Sequence, residues 1–134
     1  LDTSVVLRLL TGEPPDQAER AAQFLQELGA RGGMAVVSDM VVAESYYALH
    51  AHYGVPKREA LQGLRGLLES GEFGLAADGC ALDVLRQLQN APQRPGFVDR
   101  LIHAQYLCGA QRVASFDEGF RKLRGGTVLS PRGG

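Results

Sequence analysis

Four acids stand out by type and position: Asp2, Glu44, Asp99 and Asp117. Three of them sit in core-like text, as Leu1-Asp2, Val42-Ala43-Glu44 and Phe97-Val98-Asp99, and Asp117 lies two residues beyond Ser115 at the end of an apolar run. Carboxylates in such company are unusual, because a lone buried charge is costly to desolvate. Several in one pocket repel each other, and a hard divalent cation would neutralise them. Oxygen ligands with no Cys or His cluster beside them select Mg2+ or Mn2+. Such an ion binds phosphate oxygens, lowers the pKa of a water and stabilises a leaving oxygen, which is the chemistry of phosphodiester hydrolysis. Helix capping is the competing explanation for Asp2 and Asp99, which both precede helices. It does not reach Glu44, which stands inside its helix.

The elements that must position these acids alternate between strand and helix. Leu1-Asp2 reads as the end of a strand whose beginning is missing, since there is no initiating Met. Val5–Leu10 is a short helical run closed by Thr11-Gly12, and Pro14-Pro15 opens a helix that carries Ala18, Ala21, Ala22, Leu25 and Leu28 to Gly29. Met34–Val37 is a strand. Ser38 or Asp39 caps a helix through Val42, Tyr46, Leu49 and Tyr53, and Pro56 opens one with Leu61, Leu64 and Leu68 on one face. Phe73–Ala77 is a strand, Leu82, Leu85 and Leu88 mark a helix, and Asn90–Gly96 is a loop. Val98–Gly109 is helical, Arg112–Ser115 a strand, Glu118–Leu123 a short helix and Thr127–Leu129 a strand before a Pro-Arg-Gly-Gly tail. This alternation predicts an α/β fold with a parallel sheet covered on both faces, whose sites gather at the carboxyl ends of the strands.

The 134 residues predict one domain, 1–134, and 45% hydrophobic with 22% charged residues is the composition of an ordinary globule. No apolar run approaches the roughly 18 residues of a membrane span, and no basic-then-apolar leader is present. Cys80 and Cys108 have neither CxxC nor zinc spacing, which favours a cytoplasmic chain without a disulfide framework. The net charge of −1 hides an asymmetry: residues 1–84 carry −6 and residues 85–134 carry +5. A basic half is compatible with a polyanionic partner but does not by itself identify one. There is no GxxxxGK[ST] or GxGxxG, and Ser4 lacks the His and Asp context of a nucleophile. His103 shares a helix face with Asp99 and reads as surface or half-buried more readily than as a proton relay. His50 and His52 suit the end of their helix.

The stretches Leu-Asp-Thr-Ser-Val-Val-Leu-Arg-Leu-Leu at 1–10, Val-Ser-Asp-Met-Val-Val-Ala-Glu at 37–44, Gly-Phe-Val-Asp-Arg-Leu-Ile at 96–102 and Val-Ala-Ser-Phe-Asp at 113–117 resemble the PIN domains. Within them, they resemble the VapC-type ribonuclease toxins of toxin–antitoxin pairs. The resemblance implies a three-layer α/β/α sandwich with a central parallel sheet of about five short strands. It places Asp2, Glu44, Asp99 and Asp117 around one metal site, with Ser115 and Ser4 in support. Asp2 and Asp99 are then the direct ligands of Mg2+ or Mn2+, while Glu44 and Asp117 act directly or through water. It also implies cleavage of an RNA substrate to 5′-phosphate and 3′-hydroxyl ends, a cognate antitoxin and a homodimer. The family often has Asn where this chain has Ser4, and an additional Asp where it has Gly96. The rivals are a non-enzymatic RNA- or protein-binding module of the same fold and an aspartyl-nucleophile Mg2+ phosphohydrolase. The second would want an Asp at the place of Ser4. The stripes Val42, Tyr46, Leu49, Tyr53 and Leu61, Leu64, Leu68 read as core for most of their residues, and the antitoxin reading is that their tyrosines leave a groove between them for an amphipathic helix.

Overall fold

The computed structural model describes residues 1–130, so the Pro-Arg-Gly-Gly tail lies outside the described residues. Two compact units make up the chain, Leu1–Leu82 and a second that begins at Asp83.

In the first unit, α1 (Thr3–Thr11) starts at Asp2, whose carboxylate accepts from the Val5 N–H, and stops at Gly12. Gly12 takes φ 71°, a left-handed turn that glycine adopts without a Cβ penalty, and its N–H satisfies the Arg8 carbonyl. Pro15 begins α2 (Pro15–Ala30), where its missing N–H costs nothing. The strand β1 (Ala35–Val37) leads to α3 (Asp39–Ala51), capped by the Ser38 hydroxyl on the Val41 N–H. Then come α4 (Lys57–Glu69) and β2 (Phe73–Leu75), and α5 (Ala81–Gln87) begins at the end of the unit. β1 and β2 pair in parallel, with Ala35 opposite Phe73 and Val37 opposite Leu75. The core gathers Val6 of α1, Val37 of β1, Val42 and Leu49 of α3, Leu64 of α4 and Phe73 of β2. Fully burying each such side chain is worth roughly 1.5–3 kcal/mol before entropy is counted.

The second unit holds α6 (Phe97–Cys108), β3 (Val113–Ser115), a 3-10 helix over Glu118–Lys122 and β4 (Gly126–Val128). β3 and β4 are parallel, with Val113 opposite Gly126 and Ser115 opposite Val128. Its buried apolar residues include Val84, Leu85, Phe97, Leu101, Val113 and Phe120. At Gly126 a Cβ would run into the Phe120 carbonyl, so only glycine fits where β4 leaves the 3-10 helix.

The α/β class and the order of elements agree with the sequence pattern, and a single sheet of about five strands is not seen among the described residues. Among the described residues there are four strands of three residues each, in two parallel pairs. Leu1-Asp2 is not a strand, although the Leu1 nitrogen donates to the Val36 carbonyl at 2.8 Å and so lies alongside β1. The two apolar stripes take the core reading for most of their residues. Val42, Leu49, Leu64 and Leu68 are buried because α3 packs on α4. Tyr46 and Leu61 are half-buried and Tyr53 is open, at 43% exposure, so the stripes are mostly core.

Candidate functional site

Asp2 is held by its own turn. The Ser4 hydroxyl donates to Asp2 Oδ1 at 2.6 Å and the Val5 N–H reaches the same oxygen at 3.3 Å. The Ser4 bond, backed by the Val5 N–H, holds the Asp2 carboxyl below the usual carboxylate range. It therefore stays ionised at neutral pH. Asp2 and Glu44 line one open pocket of about 510 Å³ with Ser4, Arg8, Ser38 and Met40. Glu44 is exposed on α3, in the second turn beyond the Ser38 cap.

The second unit repeats the pattern. Asp117 caps the 3-10 helix, its Oδ1 accepting from the Gly119 N–H at 2.8 Å. Ser115 accepts from the Asp117 N–H at 3.0 Å and fixes the turn between β3 and that cap. Asp99 lies in the first turn of α6, but the cap there is Gly96, which has no side-chain acceptor. Partial burial, and after it the charge of Asp117, push the Asp99 carboxyl above the usual range. Beside it, Arg100 braces the preceding loop by donating to the Pro95 and Pro92 carbonyls at 2.7 and 3.1 Å.

Each unit thus carries one acid committed to a helix cap and steadied by a serine, Asp2 with Ser4 and Asp117 with Ser115. Each also carries one acid that no described residue hydrogen-bonds, Glu44 and Asp99. Capping therefore accounts for Asp2 and Asp117 and fails for Asp99. Among the described residues no group of three or more His, Cys, Asp or Glu forms a ready metal cluster. The donor chemistry of each pair nonetheless suits a hard cation: carboxylate oxygens only, one with no competing donor, and in the second unit two like charges within electrostatic reach.

A raised carboxyl pKa is a stability cost. The folded protein binds the Asp99 proton more tightly than the unfolded chain, so stability falls as pH rises from the ordinary carboxylate range through the raised value. At neutral pH the cost is fully present. Asp99→Asn is expected to raise the metal-free melting temperature by about 2–5 °C at pH 7 and by nothing in acid. Mg2+ should then raise the melting temperature of the wild type more than that of the variant. Scanning calorimetry at the two pH values reads both effects, and a drop at neutral pH would mean that Asp99 has a structural task.

Sequence reasoning missed one acid. Asp39 is 5% exposed, and its carboxylate accepts from the Cys80 and Ala81 N–H groups at 2.7 and 2.9 Å, capping α5 from across the unit. The only signal was a second cap-type residue directly after Ser38. His103 has a bracing role: its Nε2 lies 2.6 Å from the Arg124 carbonyl, which can only accept, so that nitrogen carries the proton. His50 similarly meets the Val55 carbonyl at 3.1 Å, past the end of α3.

A family model described as PIN domain matches residues 1–126, a span that includes all four acids. No curated protein and no solved structure matches the chain.

Proposed function

The chain belongs to the PIN-domain family, and we propose that it is an Mg2+- or Mn2+-dependent endoribonuclease, the toxin of a toxin–antitoxin module. PIN domains are generally nucleases that need a divalent metal. We take residues 1–134 as one such domain, since the family match runs through both units. The observation that carries the reading is the paired acids: in each unit a serine-steadied capping carboxylate and a second carboxylate with no donor among the described residues.

In this reading Asp2, in the first unit, and Asp99, in the second, are the direct metal ligands, each taken within its own unit. When bound, the ion supplies positive charge to the scissile phosphate and acidifies a water. The chain's own residues do the rest. Ser4 keeps Asp2 ionised and turned toward the pocket it shares with Glu44. Glu44 orients the attacking water. Asp117, held in its turn by Ser115, positions a second water with the oxygen that does not cap the 3-10 helix. Water adds to phosphorus, the bond to the 3′ oxygen breaks and that oxygen takes a proton, leaving 5′-phosphate and 3′-hydroxyl ends.

The toxin assignment is supported by the resemblance of the four motif stretches, in order and spacing, to VapC-type toxins. It brings with it a cognate antitoxin and a homodimeric toxin. The expected result is RNA cleavage in Mg2+ or Mn2+ that stops in a chelator and returns when the metal is restored. Coexpression with the neighbouring reading frame should yield a complex on size exclusion in which cleavage is suppressed. Undiminished cleavage in chelator would remove the metal mechanism. Separate elution with full activity would leave a nuclease without a toxin role.

A further inference from the structure

We propose that the cleft between α1 and α2 is a subsite for single-stranded RNA, with Arg8 and Arg20 on a phosphate and Phe24 stacked on the adjoining base. The inference rests on Asp2 and Glu44 belonging to the nuclease site, because the cleft of about 360 Å³ shares Ser4 and Arg8 with the pocket those acids line. A strand crossing the acids in the first unit would run directly into it.

The α2 contribution comes from Gln17, Arg20, Ala21 and Phe24, whose spacing of three, four and seven puts them on one helix face. While Leu25 of the same helix is buried, that face keeps the Phe24 ring 40% exposed in a cleft lined by Arg8 and Arg20. Arg8 is aimed by its Nε bond to Gln17 Oε1 at 2.7 Å, and no described carboxylate pairs with it. Arg20 has only a loose pair with Glu27, 3.8 Å apart and exposed, which a phosphate can displace at little cost. No acid lines the cleft, although residues 1–84 carry −6. Positive charge is therefore focused there against the sign of its surroundings, and guanidinium groups suit phosphate bidentately.

The ring decides between kinds of nucleic acid. An exposed phenyl face can stack only on a base that is not already stacked in a duplex, and such platforms tolerate any base. An apolar peptide helix fits poorly, since it would have to desolvate two guanidinium groups.

The test is fluorescence anisotropy in chelator, with a short labelled single-stranded RNA and the same RNA as a duplex. Phe24→Ala is expected to weaken single-strand binding about tenfold, with Phe24→Trp restoring it and duplex binding unaffected. Arg20→Gln should lower the slope of log affinity against log salt by about 0.7. Both residues are exposed, and unchanged melting curves would confirm that the variants fold. Wild-type affinity no better than that of Phe24→Ala and Arg20→Gln overturns the subsite, as does a loss confined to binding of an acidic protein partner. Catalysis is read separately in Mn2+: absence of cleavage with Phe24-dependent binding intact would count against the nuclease reading alone.

Discussion

Asp2→Asn and Asp99→Asn are each expected to lower the rate of RNA cleavage by about three orders of magnitude while the protein stays folded. The amide keeps the shape of the carboxylate and removes its charge. At Asp2 the remaining carbonyl oxygen still accepts from Ser4 and from the Val5 N–H, so the α1 cap survives. At Asp99 there is no hydrogen bond from a described residue to lose, and repulsion from Asp117 is relieved. The two variants therefore separate chemistry from folding, which alanine at Asp2 would not. Initial rates on a labelled RNA at saturating Mn2+, with circular dichroism on the same samples, check this. Wild-type rates in both variants would end the metal-nuclease reading. A loss of rate accompanied by collapse of the Asp2→Asn fold would reduce that residue to its cap.

The second large effect is on stability. Asp39→Ala is expected to cost about 3 kcal/mol and to lower the melting temperature by about 10 °C. Both carboxylate oxygens are occupied by backbone N–H donors of Cys80 and Ala81, in a place almost closed to water. Alanine would strand both donors, and bonds to a charged acceptor are roughly twice as strong as neutral ones. Asp39→Asn offers one acceptor oxygen in place of two, so it should lose about half as much. Urea titration of the three proteins gives the ranking. An alanine variant as stable as the wild type would mean that water replaces the carboxylate.

Much of this architecture is legible in the residue order, because its signals are local. Ser38 and Gly12 mark helix ends through bonds made within one turn and Pro15 by the N–H it lacks, and the short runs at 35–37, 73–75 and 113–115 stand out between longer helical segments. Asp2, Glu44, Asp99 and Asp117 are conspicuous for the same reason, charge where apolar text is expected. What could not be read depends on partners distant in the chain. Asp39 looks like one more cap of its own helix, and its partners come 41 and 42 residues later. The faces of α3 and α4 look like a possible groove until each is seen to bury the other. Strand pairing was hidden too, since a three-residue run carries no mark of which run lies beside it. His103 is half-buried as its sequence reading favours, but the carbonyl it meets lies 21 residues away and no local pattern names it.

The turn at Asp2 also bears on which ions the protein would accept. Both lone pairs of Oδ1 are already engaged, by the Ser4 hydroxyl and the Val5 N–H, so only Oδ2 remains to be offered. A carboxylate restricted to one oxygen suits a small octahedral ion that keeps several of its own waters. It suits poorly a larger ion that gains affinity by gripping both oxygens of a carboxylate at once. If Asp2 holds the ion as proposed, calcium would be disfavoured at this acid, and the discrimination would come from a serine hydroxyl, without any cavity cut to size.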